Sequence, residues 1–154
     1  MPIDRRGFLG VLASGSAFAF TSRGAFGAAS MQIKVYKDLS CGCCSNWVKH
    51  VRANGFVAQV QSATNLDSIK RSFGVPDALR SCHTAIVAGY VLEGHVPARE
   101  IKRLLLERPK ARGLAVPGMP VGAPGMEVAG QPAGPYEVML FNNDGTYKSF
   151  ASYS

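Results

Sequence analysis

The 154-residue sequence lacks several features that would assign it to a common class of protein. Beyond its first thirty residues it has no apolar run long enough to cross a membrane, so we expect no membrane span in the mature chain. It has no internal repeat at solenoid periods, which argues against a repeat protein. Its 17 basic residues exceed its 10 acidic ones. No nucleic-acid-binding motif accompanies this excess, and we expect no nucleic-acid partner.

The N-terminal stretch has the pattern of an export signal. Arg5 and Arg6 precede an apolar run over residues 8–20, and small residues around positions 25–29 offer a cleavage site. Paired arginines followed by Phe-Leu are typical of the twin-arginine route, which carries folded proteins. We therefore predict a signal peptide over residues 1–29, a periplasmic location and a single domain over residues 30–154. An uncleaved N-terminal anchor is the alternative.

Strand-like and helix-like segments alternate along residues 30–154. Strand patterns occur at residues 33–36, 56–61, 84–88, 90–94, 136–141 and 146–153, and helical spacing occurs around residues 44–51, 66–73 and 97–107. The order β-α-β-α-ββ-α followed by a C-terminal β-hairpin predicts one α/β domain of thioredoxin-like arrangement. Residues 113–135 contain six glycines and five prolines, so we predict a long loop there, functional or disordered.

Three of the four cysteines fall at the predicted turn from the first strand to the first helix. Cys41, Cys43 and Cys44 lie where Ser40 is the expected N-cap. A helix N-terminus presents free N–H groups and partial positive charge, which favour thiolate over thiol. Thiolate is both the nucleophilic and the metal-binding form, so the chemistry of this protein is expected here.

The spacing of these thiols leaves more than one chemistry open. Cys41 and Cys44 form a C-x-x-C pair, which is typical of dithiol oxidoreductases and also of metal sites. Cys43 adds a third thiol, which favours a soft cation such as Cu(I) or Zn(II). Cys82 and His83 precede a predicted core strand and are candidate further ligands, with a buried cysteine and a turn histidine as the alternatives. A structural zinc site of Cys41, Cys44, Cys82 and His83 would leave Cys43 without a role.

The remaining sulfur and imidazole groups are weaker candidates. Met119 and Met126 end two Pro-Gly-Met repeats of the predicted loop and are candidate soft ligands or a lid, although methionine more often fills a core. His50 follows Cys43 by seven helical positions, about 10 Å of rise, which is too far for one shared ion. His95 has no thiol neighbour in the sequence and is expected to be structural.

Several of these motifs together resemble an exported bacterial copper-resistance family, CopG. They are Cys-Gly-Cys-Cys before a Trp-containing helix, Cys-His before a strand, Tyr-Val-Leu-Glu-Gly-His-Val-Pro, and Ala-Val-Pro-Gly-Met-Pro-Val-Gly-Ala-Pro-Gly-Met-Glu. The resemblance covers about residues 31–152. It implies a thioredoxin-like, periplasmic copper-handling protein that meets copper ions and other periplasmic copper proteins.

The same resemblance assigns roles to the thiols. It implies that Cys41, Cys43 and Cys44 bind Cu(I), and that Cys82, with His83 as a further donor, completes a site for several copper ions. A redox role at copper or at the thiols is also implied for the family. We expect a binding protein rather than an enzyme. Dithiol exchange at Cys41 and Cys44, and a structural zinc site, stay as alternatives.

Overall fold

The structure, a computed structural model, describes residues 31–154, so the predicted signal peptide lies outside the described residues. The secondary structure consists of β1 (Gln32–Lys37), α1 (Gly42–Ala53), β2 (Val57–Ser62), α2 (Leu66–Ser72), a 3-10 turn (Asp77–Leu79), β3 (Thr84–Val87), β4 (Tyr90–Glu93), α3 (Ala98–Glu107), β5 (Gly113–Ala115), β6 (Tyr136–Phe141) and β7 (Tyr147–Tyr153). None of the helices in this part of the chain has the length and apolar character needed to span a membrane.

All seven strands form one sheet in the order β2-β1-β3-β4-β5-β6-β7. β1 and β2 are parallel, as are β4 and β5, and the other neighbouring pairs are antiparallel. The predicted α/β class and the C-terminal hairpin are confirmed. The finer thioredoxin-like assignment stays a prediction.

The main core lies between the sheet and the apolar faces of α1 and α3. Ile33 and Val35 alternate along β1 and share this core with Trp47 and Val51 of α1 and Ile101 of α3. A fully buried side chain of this size contributes about 1.5–3 kcal/mol to folding. A smaller cluster, Val75, Leu79, Val91, Ala115 and Phe141, forms a second core. The main core fixes α1 and its thiols against the end of β1.

The start of α1 differs from the sequence expectation in one respect. Cys41, rather than Ser40, is the N-cap residue, and its sulfur accepts a hydrogen bond from the backbone N–H of Cys44 at 3.4 Å. Ser40 is occupied by the preceding turn, because its N–H and hydroxyl both donate to the Asp38 carboxylate. A cysteine sulfur therefore sits directly at the positive end of the helix.

The glycine- and proline-rich segment is ordered and is not wholly a loop. Its first residues form β5, where Gly113 is needed because an added Cβ would collide with the backbone of Val91. Further along, the N–H of Met126 donates to the carbonyl of Ala123, and the N–H of Gly134 donates to that of Val121. The segment between β5 and β6 is thus folded on itself and available to cover the thiols.

Candidate metal centre

The four cysteine sulfurs converge at one end of the sheet. Cys41 caps α1, Cys43 and Cys44 lie in its first turn, and Cys82 lies two residues before β3. All four Sγ atoms lie within 4.8 Å of one another, which is close enough to surround a metal ion. Cys44 is fully buried and the other three are half-buried. The cluster therefore opens to one side and is closed by the core on the other.

Two of the four sulfurs are joined in the structure. Cys41 and Cys44 form a disulfide, with their Cα atoms 5.4 Å apart, while Cys43 and Cys82 are free thiols. The Cys43 sulfur lies 3.4 Å from that of Cys41. A bridge between residues three apart closes a very short loop and stabilises the fold little through chain entropy. The disulfide is better explained as a redox state of the site than as a structural link.

Cys82 is in the protonated form when no metal is bound. Burial, followed by the nearby Cys43 sulfur, raises the pKa of Cys82 to about 12. At neutral pH its S–H group is therefore retained, and a metal ion must displace the proton to bind this sulfur.

Two histidine rings also face Cys82. Its sulfur lies 3.0 Å from Nε2 of His95 and 3.3 Å from Nδ1 of His83, and these three residues form a second group of converging donors. His95, expected from the sequence to be structural because it has no thiol neighbour along the chain, therefore has a thiol neighbour in space. The register of β3 and β4 explains why, since Thr84 pairs with Glu93 and the same antiparallel pairing, continued by two residues, sets Cys82 opposite His95. The adjacent strand patterns predicted at residues 84–88 and 90–94 contained this signal, because two strands so close in the chain pair as a hairpin.

The loop after β5 fixes the orientation of His95. Its Nδ1 lies 2.7 Å from the carbonyl oxygen of Pro124, and because a carbonyl only accepts, Nδ1 carries the hydrogen. Nε2 of the neutral ring then presents its lone pair towards Cys82. Burial lowers the pKa of His95, which keeps the ring neutral. A ligand histidine whose second nitrogen is held by a carbonyl is the usual arrangement at metal sites.

His83 is completely buried, and one of its nitrogens has no partner. Its ring centroid lies 4.5 Å from that of Trp47 and 5.1 Å from that of His95. Burial first, and then the nearby His95 and Lys70, hold the pKa of His83 well below its ordinary value. Nε2 makes no hydrogen bond within the described residues. A buried, neutral imidazole next to a thiol has the chemistry of a soft-metal ligand.

Both Pro-Gly-Met repeats contact turns that carry thiols. In the first, the N–H of Gly118 donates to the carbonyl of Arg80, and the carbonyl of Gly118 accepts from the Ser81 hydroxyl. In the second, an added Cβ on Gly125 would lie 2.6 Å from the backbone nitrogen of Trp47 and 2.9 Å from the carbonyl oxygen of Cys43. The loop between β5 and β6 is therefore packed on both sides of the cluster.

The methionines of these repeats differ in their surroundings. The Met119 side chain is 57% exposed and does not fill a core, whereas Met126 is half-buried. His50, excluded from the cluster on distance, accepts a hydrogen bond from the backbone N–H of Ala98 through Nε2 at 3.0 Å. That bond satisfies the first N–H group of α3. Pro97 is the N-cap residue of this helix, whereas the predicted helical segment began at residue 97.

A buried ion pair supports the turn that carries Cys82. The Lys70 ammonium lies 2.6 Å from Glu93, and both side chains are almost completely buried. Glu93 also accepts hydrogen bonds from the Ser81 N–H at 2.7 Å and from the Thr84 hydroxyl at 2.7 Å. These contacts fix the backbone on either side of Cys82. Nothing in the local sequence identified them, because they join α2, β3 and β4.

Comparison with known proteins finds one family model and two solved structures that are similar to this chain. Residues 79–126, which include Cys82, His83 and His95, match a family model described as "Protein of unknown function, DUF411". No curated protein sequence matches the chain. Two solved structures, both titled copper resistance protein CopG and described as its forms 2 and 1, are each 42% identical to this chain. The similarity covers 80% of this chain and 98% of theirs, with TM-scores of 0.76 and 0.75. The chain therefore belongs to the family of the copper resistance protein CopG.

Proposed function

We propose that this protein is a periplasmic copper-binding protein for copper resistance, and that it binds Cu(I) through the thiolates of Cys41, Cys43, Cys44 and Cys82. The observation that carries the proposal is the convergence of these four sulfurs within 4.8 Å. The two similar structures are of a copper resistance protein, which supplies the link to copper resistance. Holding Cu(I) in such a site would remove a redox-active ion from the periplasm.

The donor set suits a soft monovalent ion better than a hard one. Thiolates select Cu(I) and Zn(II) over Mg(II) or Ca(II), and imidazole also suits copper. Cys82 belongs both to the four-sulfur group and to the group it forms with His83 and His95. A thiolate shared between two donor groups is placed to bridge ions, so we propose that the site holds more than one copper. Met119 and Met126 remain candidate outer ligands.

Copper binding to all four sulfurs requires two changes from the state in the structure. The Cys41–Cys44 disulfide must take up two electrons and two protons to give two thiols. The thiols, Cys82 included, must then lose their protons to the solvent as the metal binds. Both changes make the affinity depend on the redox conditions and the pH.

A structural zinc site of Cys41, Cys44, Cys82 and His83 would use the same region. It leaves unused the Cys43 sulfur, which lies 3.4 Å from that of Cys41. If the site were structural, a chelator would unfold the protein, because structural zinc contributes folding energy directly. For the copper proposal we expect the metal-free protein to stay folded, since its main core is built from apolar side chains of the sheet, α1 and α3.

A second candidate function is thiol–disulfide exchange. The specific observation in its favour is the Cys41–Cys44 disulfide, in which Cys44 is buried and Cys41 is half-buried. A more exposed first cysteine at a helix N-terminus is the arrangement that lowers a thiol pKa and makes it nucleophilic. Metal-free protein that catalyses insulin reduction at a rate comparable to a dithiol oxidoreductase would favour this function.

The test is an anaerobic Cu(I) titration of the reduced chain over residues 30–154 against a competing chelator. We expect tight uptake of more than one copper per chain in the wild type, and loss of multi-copper binding in Cys43→Ser. Ser45→Ala, in the same turn of α1, is the matched control and is expected to bind as the wild type does. Unchanged copper stoichiometry in Cys43→Ser would contradict the thiolate-cluster model.

A further inference from the structure

The most basic part of the described chain is α3 together with the segment that follows it. Residues 31–154 hold 14 basic and 9 acidic side chains, a net charge of +5. Residues 98–112 hold six basic and two acidic ones, a net charge of +4. Most of the net charge is therefore concentrated in one region, and such a one-sided distribution attracts an anionic partner. The basic residues of this segment are Arg99, Lys102, Arg103, Arg108, Lys110 and Arg112.

The acidic residues of α3 lie on one side of the helix, where arginine contacts them. Glu100, Arg103 and Glu107 recur at i, i+3 and i+7 and so share a side. Arg103 donates to Glu107 at 2.7 Å and lies 4.1 Å from the centre of the Phe150 ring. Glu100 is buried, with one carboxylate oxygen 3.7 Å from Arg103. This side of α3 is therefore engaged within the fold, against β7.

An adjacent side of α3 presents cations around an exposed leucine. Arg99, Lys102 and Leu106 follow one another at intervals of three and four residues, so they form one stripe. Leu106 is 84% exposed, and the Arg99 side chain is 86% exposed with only a long contact of 3.6 Å to Glu100. Lys102 takes part in no ion pair within residues 31–154. A large apolar side chain thus projects between two cations whose charge is available to a partner.

This stripe borders an open cavity of about 620 Å³. The cavity lies between α3, the turn of the β3–β4 hairpin and the first residue of the described fold. Its lining includes the apolar groups of Met31, Tyr90, Leu105 and Leu106, and its two charged lining residues, Lys102 and Arg108, are both cationic. An apolar recess with a cationic rim suits an amphiphile that has an anionic headgroup.

The stripe and its cavity lie at the end of the sheet opposite the metal centre. β1 begins next to Met31 and ends at the turn that carries Cys41, which separates the two by about 20 Å of strand. The β3–β4 turn lines the cavity, whereas Cys82 and His95 flank the other end of that hairpin. Residues 1–30 are joined to the fold at Met31. Any attachment of that segment to a membrane therefore brings the cavity, rather than the metal centre, to the bilayer.

We propose that the stripe of Arg99, Lys102 and Leu106, with its cavity, binds a membrane surface that contains anionic phospholipid. The two cations contact lipid phosphates, and Leu106 enters the apolar layer beneath them. Nucleic acid is also anionic, but a phosphate backbone offers no apolar contact to a leucine at the centre of the stripe. Binding in this way leaves the metal centre at the end of the sheet away from the bilayer. The inference goes beyond copper binding and does not depend on it.

The test is the binding of metal-free protein over residues 30–154 to lipid vesicles. The sheet and both apolar clusters lie wholly within this range, so the fold does not depend on residues 1–29. The vesicles contain phosphatidylcholine alone or with about 30% phosphatidylglycerol, and binding is measured by cosedimentation at about 0.1 M salt. We expect binding to the anionic vesicles to be at least about tenfold tighter, and to weaken as salt is added.

Substitutions in the stripe should weaken this binding separately. Arg99→Gln and Lys102→Gln should each weaken it about fivefold, because each removes one charge from the membrane contact. Leu106→Ser should weaken it about tenfold, because it removes the apolar contact. The substituted side chains are all exposed, so these variants are expected to fold as the wild type does, which urea unfolding checks.

Matched controls remove the same groups from other surfaces. Arg71→Gln on α2 and Lys34→Gln on β1 each remove one exposed charge, and Leu39→Ser removes a leucine that is 69% exposed in the turn before α1. These variants should bind within about twofold of the wild type, because charges outside the contact are screened by salt.

Leu106→Trp reports whether the stripe enters the lipid. Its fluorescence emission should shift to shorter wavelength with the anionic vesicles and stay unchanged with phosphatidylcholine alone. The wild type supplies the background, since its one tryptophan, Trp47, is fully buried. An emission that the anionic vesicles leave unchanged would contradict insertion of Leu106.

Several results would overturn the proposal. They are equal binding of the wild type to both vesicle compositions, and stripe variants that bind as the controls do. A dimer that Leu106→Ser dissociates, without vesicle binding, would assign the stripe to a second copy of the chain. Binding of duplex DNA that Leu106→Ser leaves unchanged, without vesicle binding, would assign it to nucleic acid. Because no copper is present in these assays, their failure is distinct from a failure of the copper titration.

Discussion

Adding a single methyl group at Gly125 should move the loop between β5 and β6 away from the metal centre. Its φ of +86° lies in the left-handed region, where a side chain costs about 1–2 kcal/mol. An added Cβ would also lie 2.6 Å from the nitrogen of Trp47 and 2.9 Å from the oxygen of Cys43, both backbone atoms of α1. Overpacking of this kind costs about 1–3 kcal/mol. We therefore expect Gly125→Ala to lower the free energy of unfolding by about 2–5 kcal/mol if the loop stays in place.

The loop between β5 and β6 can avoid this collision by moving away from α1. The carbonyl of Pro124 would then move with it, and His95 would lose the acceptor that holds its ring. Loss of such an outer contact typically lowers metal affinity by about 10–100-fold. Gly125→Ala should therefore lose copper affinity by that factor, whether or not it also loses stability.

Gly130→Ala is the matched control for this prediction. Gly130 lies in the same loop with a φ of +79°, but apart from its chain neighbours no atom of residues 31–154 lies within 4 Å of a Cβ added there. It carries the backbone strain without the collision. The assays are urea unfolding of the metal-free protein and competition for Cu(I) with a chelator. Equal copper affinities for Gly125→Ala and Gly130→Ala would refute the reasoning that the loop orients His95.

Three further predictions concern buried titratable groups. Burial lowers the pKa of His50, so the unfolded chain takes up a proton first as the pH falls below about 6.5. The free energy of unfolding should therefore fall from pH 7.5 to 5.5, and it should fall less steeply in His50→Gln. Urea unfolding that finds the same pH dependence of this free energy in both proteins would contradict the prediction. Glu93→Gln leaves the Lys70 ammonium buried without its counter-charge, with the Thr84 hydroxyl as a neutral partner, and should cost about 3–5 kcal/mol in chemical denaturation, most of it recovered in Lys70→Met/Glu93→Gln. If the Glu93→Gln variant is as stable as the wild type, the Lys70–Glu93 ion pair does not contribute to the stability of the fold. Since the pKa of Cys82 is about 12, copper binding at pH 7 should release a proton from it. Calorimetry in buffers of different ionisation enthalpy should find about one proton fewer in Cys82→Ser, and an unchanged count would remove Cys82 from the ligand set.

The sequence was most informative where structure is local. The turn between β1 and α1, the stripe of Cys44, Trp47, Val48 and Val51 and the C-terminal hairpin all follow from spacing and turn residues over a few positions. The N-cap was misjudged by one residue, because Asp38 captures Ser40. Local patterns thus predicted the place of the thiols and the elements other than β5, whose residues were expected to belong to a loop.

Contacts between distant segments were not accessible in the same way. His95 reaches Cys82 through the register of β3 and β4, and Pro124 reaches His95 across 29 residues. Such features depend on how the sheet and the loop pack, which spacing along the chain does not specify.

The most direct test of the central claim is X-ray absorption at the copper edge of the reduced protein loaded anaerobically with copper. The account predicts a Cu(I) edge, sulfur as the main scatterer around copper and a short copper–copper distance from bridging thiolates. It also predicts that the sulfur scattering falls in Cys43→Ser. Copper surrounded by nitrogen and oxygen alone, or a spectrum unchanged in Cys43→Ser, would contradict a thiolate cluster built from Cys41, Cys43, Cys44 and Cys82.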